Sequence, residues 1–174
     1  METKIITGKV RFSYCNVFEP TSIEEGGTKK YNVSILIPKD DAATLKKVND
    51  AIAAAIEIGI DKVGKNGKPA PNLKMPLRDG DIDRPDDEAY ANHFFINANS
   101  TKKPGIVDKD LEEIMSKDEF YSGCYGRASV TFYAFNAGGN RGIAAGLNNL
   151  QKLEDGEPLA GSSSPREDFD DDIM

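Results

Sequence analysis

The sequence predicts a mainly β fold, a small antiparallel Greek-key barrel with one α-helix inserted after the second strand. About five or six segments alternate apolar and polar residues, which is the period of strands buried on one face. One longer segment repeats apolar residues at helical spacing, and the connections are long and uneven. A β-sandwich with the same inserted helix fits this pattern nearly as well, so both architectures stay open.

The first two strands are predicted at residues 9–14 and 29–37, where apolar side chains occupy every second position. A loop rich in Glu, Gly and Thr separates them at residues 19–28, and Pro38 ends the second strand. The predicted inward-facing side chains are Val10, Phe12 and Tyr14, followed by Tyr31, Val33, Ile35 and Ile37.

A single amphipathic helix follows the second strand. Asp40 or Asp41 is a suitable N-cap, because a carboxylate can accept from the free N–H groups of the first turn. Gly59 is a suitable end. The apolar face consists of Leu45, Val48, Ile52 and Ile56.

The middle of the chain is predicted to be mostly irregular. Residues 61–76 are a loop rich in Lys, Gly and Pro, and residues 79–88 continue it with six carboxylates. A short strand follows at residues 93–98, and one or two helical turns at residues 108–115. Ser116 and Glu119 have the spacing of a capping box, which predicts another short helix at residues 118–121.

The clearest strand is predicted at residues 126–136, with a hairpin turn at residues 138–140 and a final strand at residues 141–153. Beyond Gly156 the periodicity ends in a Gly-, Ser- and Pro-containing segment that predicts a flexible linker. The expected organisation is one binding domain at residues 1–158, and a linker with a disordered acidic tail at residues 159–174. The strand predicted at 126–136 turns Ala128, Val130, Phe132 and Ala134 inward.

The 174-residue composition excludes several classes of protein. No apolar run is long enough for a membrane span, and the first residues contain no apolar stretch typical of a signal peptide. Cys15 and Cys124 are too few for a disulfide framework, and with one His they exclude a Cys/His zinc site. We therefore expect two reduced thiols in a cytoplasm.

The net charge of −7 is unevenly distributed. Residues 166–174 carry five acids and one Arg, a net of −4, which leaves −3 for the other 165 residues. A local basic surface is therefore compatible with an acidic chain. The tail has an apolar component among its acids, so it fits either a solvated end or a docking peptide that also competes for a basic groove. Its predicted partner-binding residues are Asp168, Phe169, Asp170, Asp171, Asp172, Ile173 and Met174.

Two resemblances refine these predictions. Residues 168–173, DFDDDI, resemble the acidic tip of bacterial single-stranded DNA-binding proteins, although those tips typically close with Pro-Phe where this chain has Met174. The body is similar to a phage and prophage family of single-stranded DNA-binding proteins, long a domain of unknown function, over roughly residues 5–160. This resemblance implies an OB-type barrel that coats single-stranded DNA in replication or recombination, with a tail that recruits partner proteins. The matching segments are 12–20, 30–39, 75–98, 119–136 and 139–158.

Single-strand binding needs cations along the phosphates and aromatic faces for the bases. The candidate cations are Arg11, Lys30, Lys74, Arg78, Lys102, Lys103, Arg127 and Arg141. The candidate stacking residues are Tyr121, Tyr125, Tyr133 and Phe135, with Tyr14 and Phe95 as further candidates.

The remaining motifs argue against catalysis. The run at residues 79–83 begins like a calcium loop, but Arg84 and Pro85 replace the residues such a loop needs next, so Arg78 and Arg84 are expected to pair with these acids locally. We expect no metal, no cofactor and no enzyme activity. A phage structural or assembly protein that uses the tail as an interaction peptide is the main alternative, and a nuclease using the 79–88 acids is a third. A homodimer is also left open.

Overall fold

The computed structural model describes residues 2–22 and 27–159. The strands in this part are β1 (Lys4–Ile6), β2 (Val10–Thr21), β3 (Lys30–Pro38), β4 (Gly64–Lys65), β5 (Lys68–Pro69), β6 (Leu77–Asp79), β7 (His93–Ser100), β8 (Gly105–Val107), β9 (Tyr125–Ala137) and β10 (Asn140–Glu154). The helices are α1 (Ala42–Ile58), α2 (Ile60–Val63) and α3 (Gly80–Asp83), and a 3-10 turn spans Glu88–Tyr90.

Five of these strands close into a barrel. The ring runs β9-β2-β3-β7-β10 and returns to β9 through the long β9–β10 hairpin. All neighbours are antiparallel except β7 and β10, which pair in parallel at Ala98 and Ala145. The ring closes where Val10 pairs with Gly126. This is an OB-like five-stranded barrel with the helix after the strand predicted second, so the barrel prediction is confirmed over the sandwich.

The core fills the barrel with alternate side chains of these strands. Val130 and Phe132 of β9 are buried, as the alternation predicted, and Val48 and Ile52 of α1 belong to the same cluster. Helix α1 begins after Asp41, whose carboxylate accepts from the Thr44 N–H, and it ends at Gly59. A side chain at Gly59 would collide with Ala134 at 2.3 Å, so glycine allows the helix end to approach β9.

Residues 61–76, predicted as a loop, contain α2 and a two-strand hairpin. Asn66 and Gly67 both have positive φ, 58° and 77°, as a two-residue hairpin turn requires. The Asn-Gly pair was a sequence signal for this hairpin that our prediction did not use.

The two short helices predicted at residues 108–115 and 118–121 are wrong. The Asp108 carboxylate accepts from the N–H groups of Asp110 and Glu112, which folds the first segment into a turn. Ser116 accepts from the Asp118 N–H through its side chain and from the Glu119 N–H through its carbonyl, so the second segment is also a turn. These polar side chains satisfy the backbone locally and compete with helix formation.

Strands β2 and β3 also depart from the predicted pattern. β2 continues to Thr21, into the predicted loop. Tyr14, predicted to face inward, is 49% exposed. β3 is buried on both faces at Leu36, because Tyr90 and Phe95 cover its outer side with a second small apolar cluster.

Residues 155–159, which we name the strap, run back across the barrel after β10. The Tyr121 hydroxyl lies 3.0 Å from the Asp155 Oδ1 and accepts from the Gly156 N–H at 3.1 Å. The Arg11 Nη2 donates to the Glu157 carbonyl at 2.7 Å, and the Leu159 N–H donates to the Ser122 carbonyl at 3.0 Å. Glu157 and Leu159, at the start of the segment predicted as a linker, are therefore hydrogen-bonded to the barrel. The tail from residue 160 lies outside the described residues.

Candidate nucleic-acid interface

The outer face of β2, β3 and β7 carries a groove of about 610 Å³. Strand register places its floor residues side by side: Asn16 pairs with Asn32, Asn32 with Asn99, and Ser34 with Asn97. The lining residues are Tyr14, Asn16, Thr21, Ser22, Gly27, Thr28, Lys30, Asn32, Val33, Ser34, Arg84, Asn97, Ala98 and Asn99. We name this feature the amide groove.

The amides on the groove floor fall into two groups. The Asn16 Nδ2 donates to the Asn32 Oδ1 at 3.0 Å, and the Asn32 Nδ2 donates to the Thr21 Oγ1 at 3.0 Å. The side chains of Asn97 and Asn99 make no hydrogen bond to any residue of the described chain. Their donors and acceptors are therefore available to a ligand.

The described lining of the amide groove is positively charged, although the chain is acidic. Lys30 and Arg84 line it, and none of its described lining residues is a carboxylate. Such a surface attracts anions locally, because exposed charges act over about 10 Å at ordinary salt.

Tyr14 enters the groove because β2 is bulged at this position. The β2–β3 register shifts between Ser13 and Asn16, and Tyr14 has φ 48°, a left-handed backbone that bulky residues rarely adopt. The bulge interrupts the alternation of β2 and turns the ring outward.

A wall of the groove is formed by the segment between β6 and β7. Tyr90 anchors this wall: it is fully buried, its hydroxyl donates to the Ser34 Oγ at 2.8 Å, and its ring meets Phe95 edge-on. Burial raises the pKa of the Tyr90 hydroxyl, so it stays a neutral donor. The Arg84 guanidinium carbon lies 5.5 Å from the ring centre of Tyr14 and 5.6 Å from that of Tyr90. The expected local pairing with the acids is therefore wrong for Arg84, whereas the Arg78 Nε does bind the Asp83 carboxylate at 3.1 Å.

The acids of the wall face a second groove of about 650 Å³, which also contains Tyr14 and Arg84. Its carboxylates are those of Asp83, Asp86, Asp87 and Glu88. Leu159, the last residue of the strap, lines the same groove. The chain therefore leaves the described structure beside the pair formed by Tyr14 and Arg84.

Besides Tyr14, three predicted site residues lie in or near the amide groove. Lys30 lines it, and Lys102 and Lys103 are exposed directly after β7, whose Asn97 and Asn99 form part of the floor. The Lys103 Nζ lies 5.2 Å from the ring centre of Phe18.

Tyr133 lies on the continuation of the same outer surface. Asn99 pairs with Gly146 of β10, and a side-chain atom at Gly146 would lie 3.6 Å from the Tyr133 ring. Tyr133 is 44% exposed. Tyr133 belongs to β9, and β10 lies between β9 and β7. Neighbouring strands are about 4.8 Å apart, so β9 runs about 10 Å from β7. At this point β10 has only the glycine Gly146 between them.

Three further predicted residues meet around Gly142, near the β9–β10 turn. Phe135 pairs with Gly142, Lys74 bridges to it, and the Arg141 Nη1 donates to the Gly64 carbonyl at 3.4 Å.

The remaining predicted residues are held in structural contacts. Arg11 packs against the Tyr125 ring at 5.3 Å and binds carbonyls of the strap and of Gly123. Tyr121 is bound to the strap, and the Arg127 Nε donates to the Thr7 carbonyl at 3.1 Å. Phe95, a further stacking candidate, is fully buried. The structure therefore distributes the predicted residues over several parts of the surface.

The floor asparagines and Arg84 are groove residues that the sequence interpretation missed. Asparagine is depleted in strands, so Asn16, Asn32, Asn97 and Asn99 inside strand patterns were an available signal. No pattern in the sequence indicates the bulge that turns Tyr14 outward.

Within residues 2–22 and 27–159, no group of three or more His, Cys, Asp or Glu side chains is placed to hold a metal ion. No helix in the same ranges combines the length and the apolar character that crossing a bilayer requires.

Comparison with known proteins places this barrel among phage DNA-binding proteins. The chain is 31% identical to protein p50 of Acyrthosiphon pisum secondary endosymbiont phage 1, over 97% of this chain and 93% of that protein. It is similar to the solved single-stranded DNA-binding protein of bacteriophage Enc34 in complex with ssDNA, at 27% identity and a TM-score of 0.80 over 91% of this chain and 90% of that one. The fold also matches that of gp2.5, a single-stranded DNA-binding protein of bacteriophage T7, at 12% identity and a TM-score of 0.66 over 94% and 98%.

The family model of the Enterobacter phage Enc34 ssDNA-binding protein matches residues 3–174, nearly the whole chain. The predicted resemblance to a phage single-stranded DNA-binding family is therefore confirmed. This chain belongs to the Enc34 family of phage ssDNA-binding proteins.

Proposed function

We propose that this chain binds single-stranded DNA in the amide groove, largely without sequence preference. The observation that carries the proposal is the described lining of the groove: a floor of amides with Lys30 and Arg84 and no carboxylate. The fold supports the same location, because OB-type barrels bind oligonucleotides on the face of their second and third strands.

The groove offers two kinds of contact to a single strand. Lys30 provides a charge for the phosphates inside the groove, and Lys102 and Lys103 extend the basic surface past the end of β7. Asn97 and Asn99 offer hydrogen bonds to base edges. One such barrel covers on the order of 4–16 nucleotides.

In the cell, the protein would coat single-stranded DNA during phage replication or recombination, in the cytoplasm of the bacterial host. The acidic tail would recruit a replication or recombination protein through residues 168–174 and would compete with DNA for the groove. The position of Leu159 supports this second role, because the strap brings the chain to the side of Tyr14 and Arg84.

The test is fluorescence anisotropy of a labelled oligo-dT of ~30 nucleotides, long enough for more than one barrel, at several salt concentrations. We expect binding that weakens as salt rises, because each phosphate contact releases counterions. Lys30→Gln should weaken binding and reduce the slope of log affinity against log salt by roughly 0.7.

The matched control is Lys46→Gln. Lys46 is an exposed lysine of α1 that pairs with Asp50, on a helix that does not line the groove. This variant should bind like the parent. Absence of binding by the parent at low salt would overturn the proposal and favour an assembly protein that uses its tail as an interaction peptide.

A further inference from the structure

We infer that Tyr14 and Arg84 together form one nucleotide position of the amide groove: the Tyr14 ring stacks on a base and the Arg84 guanidinium binds the adjacent phosphate. The inference rests on the proposed function and names two residues for it that the charge and aromatic patterns of the sequence did not bring together.

The backbone at Tyr14 is the first argument. A φ of 48° is unfavourable for a bulky residue, and the neighbouring strand register shifts at the same place. The conformation leaves Tyr14 49% exposed, so it is not explained by core packing. Strained backbone of this kind concentrates at ligand-binding sites, where the position of one side chain matters.

The partners of Arg84 are the second argument. Asp83, Asp86, Asp87 and Glu88 surround it in the sequence, yet Arg84 forms no ion pair within the described chain. Its guanidinium is stacked on the two tyrosine rings instead. Its N–H donors are thus not taken up by a carboxylate and can bind a phosphate.

The rigidity of the pair is the third argument. Tyr90 is fixed by burial, by its bond to Ser34 and by its edge-on contact with Phe95. Because Arg84 rests on this fixed ring, its charge is held beside Tyr14 before any ligand arrives. A pre-positioned pair loses little conformational freedom when it binds.

The base contact is tested with Tyr14→Asn, because asparagine tolerates a left-handed backbone and removes the ring. Affinity is measured for oligo-dT and for an abasic oligomer of the same length. We expect Tyr14→Asn to weaken oligo-dT binding about 5- to 150-fold, the range for losing one stacked base, and to leave abasic binding unchanged. Tyr14→Phe should bind both oligomers like the parent.

The matched control is Leu111→Asn. Leu111 also has a positive φ, 66°, and is 73% exposed, but it lies in the turn after β8 and does not line the groove. It should leave both affinities unchanged. Equal thermal unfolding of the two Asn variants excludes a folding defect as the cause of any loss.

The phosphate contact is tested with Arg84→Gln. We expect weaker binding of both oligomers and a salt slope reduced by roughly 0.7, the value for one phosphate contact on a single strand. An unchanged slope, or an equal loss of both oligomers in Tyr14→Asn, would overturn the inference.

The two proposals fail differently. If the parent does not bind oligo-dT at low salt, the proposed function is wrong. If the parent binds and Tyr14→Asn binds oligo-dT equally well, the groove binds DNA without this nucleotide position, and only the inference is wrong.

Discussion

At Tyr14 a conformational cost is accepted to place one ring. A left-handed backbone costs an L-residue roughly 1–2 kcal/mol, and the ring gains no full burial in return. We therefore attribute this conformational cost to the placement of the ring beside Arg84 and the groove floor.

This view predicts an inverted order of stability at position 14. Tyr14→Gly and Tyr14→Ala both remove the ring, but only glycine relieves the strain, so the Gly variant should be more stable by about 1 kcal/mol. Urea unfolding of the two variants measures this difference.

The control is Ala144→Gly, at an extended position of β10. Glycine should be the less stable residue there, by roughly 0.5–1 kcal/mol, as in an ordinary strand. If alanine is also the more stable residue at position 14, the strain argument is wrong.

Single residues also mark where the sequence predicts the candidate site and where it does not. Lys30 could be predicted, because a lysine at the start of a polar strand face is exposed in almost any register. Tyr14 was a stacking candidate, but its outward orientation could not be predicted, because it depends on a bulge. Arg84 could not be predicted at all, because its place depends on a wall packed from a distant segment. Charge and aromaticity are local properties, whereas their convergence is set by tertiary structure.

The strap shows how an element without regular secondary structure is held. A side chain at Gly123, which has φ 117°, would meet the Glu157 carbonyl oxygen at 2.2 Å, so the strap crosses this glycine in direct contact. At its start, the Lys152 Nζ lies 2.6 Å from the Asp155 carboxylate. The hydrogen bond from Lys152, and after it the one from Tyr121, hold the pKa of Asp155 below its usual value.

The strap should therefore contribute less to stability in acid. A lowered pKa in the folded state means a contribution that is fully present above the ordinary carboxyl pKa of 3.8 and is lost as the pH falls through the lowered value. Asp155→Asn should cost about 0.5 kcal/mol or less near neutral pH, since Asp155 is largely exposed, and the difference from the parent should close in acid.

Urea unfolding of the parent and the variant at several pH values checks this prediction. Asp110→Asn is the control, because that carboxylate forms no ion pair to the described residues. A difference between the parent and Asp155→Asn that stays constant down to the most acidic pH would contradict the proposed role of the pair.

The longest elements were the ones the sequence predicted well. Helix α1 and strands β9 and β10 each repeat their apolar period many times, so local noise does not hide it. The helix predictions for residues 108–115 and 118–121 were wrong because the side chains of Asp108 and Ser116 accept hydrogen bonds from backbone N–H groups within their own turns. The composition of such a turn resembles that of a helix start. Only the absence of a following apolar face distinguishes the turn from a helix.

At the scale of the whole molecule, the barrel places acidic and basic side chains in different grooves, which the net charge of −7 does not reveal. The acids of the wall line one groove with Leu159, and the amide groove on the other side of Tyr14 has no carboxylate among its described lining residues. The alternating strands predicted a mainly β fold but did not separate a barrel from a sandwich, because the closure through the parallel β7–β10 pair was not predictable. That pairing joins residues about fifty positions apart, and no local pattern specifies it.

Removal of residues 166–174 should tighten binding of oligo-dT by roughly two- to tenfold at low salt, because an acidic segment tethered near the groove competes with DNA. The gain should shrink as salt rises and screens the tail. Anisotropy with the full chain and with residues 1–165 measures both effects.

A full-length variant with Asn at positions 168 and 170–172 separates charge from length. It should behave like the truncated chain if the carboxylates compete. Equal affinity of the full and truncated chains at every salt concentration would contradict the competition.

Because Leu159 is anchored to the barrel, the acidic tip of the tail has a defined local concentration. The 15 residues that follow it extend at most about 50–54 Å, whatever their conformation, so the acidic tip remains within that radius of Leu159. Confinement to such a volume corresponds to a concentration on the order of millimolar, and a free peptide of the same sequence would compete only at comparable concentrations. If the tip competes with DNA as proposed, a partner protein that captures it would remove this internal competitor. By linkage, DNA in the groove would then raise the affinity of the tip for the partner by the same factor. The strap would thereby couple recruitment to the DNA-bound form of the protein.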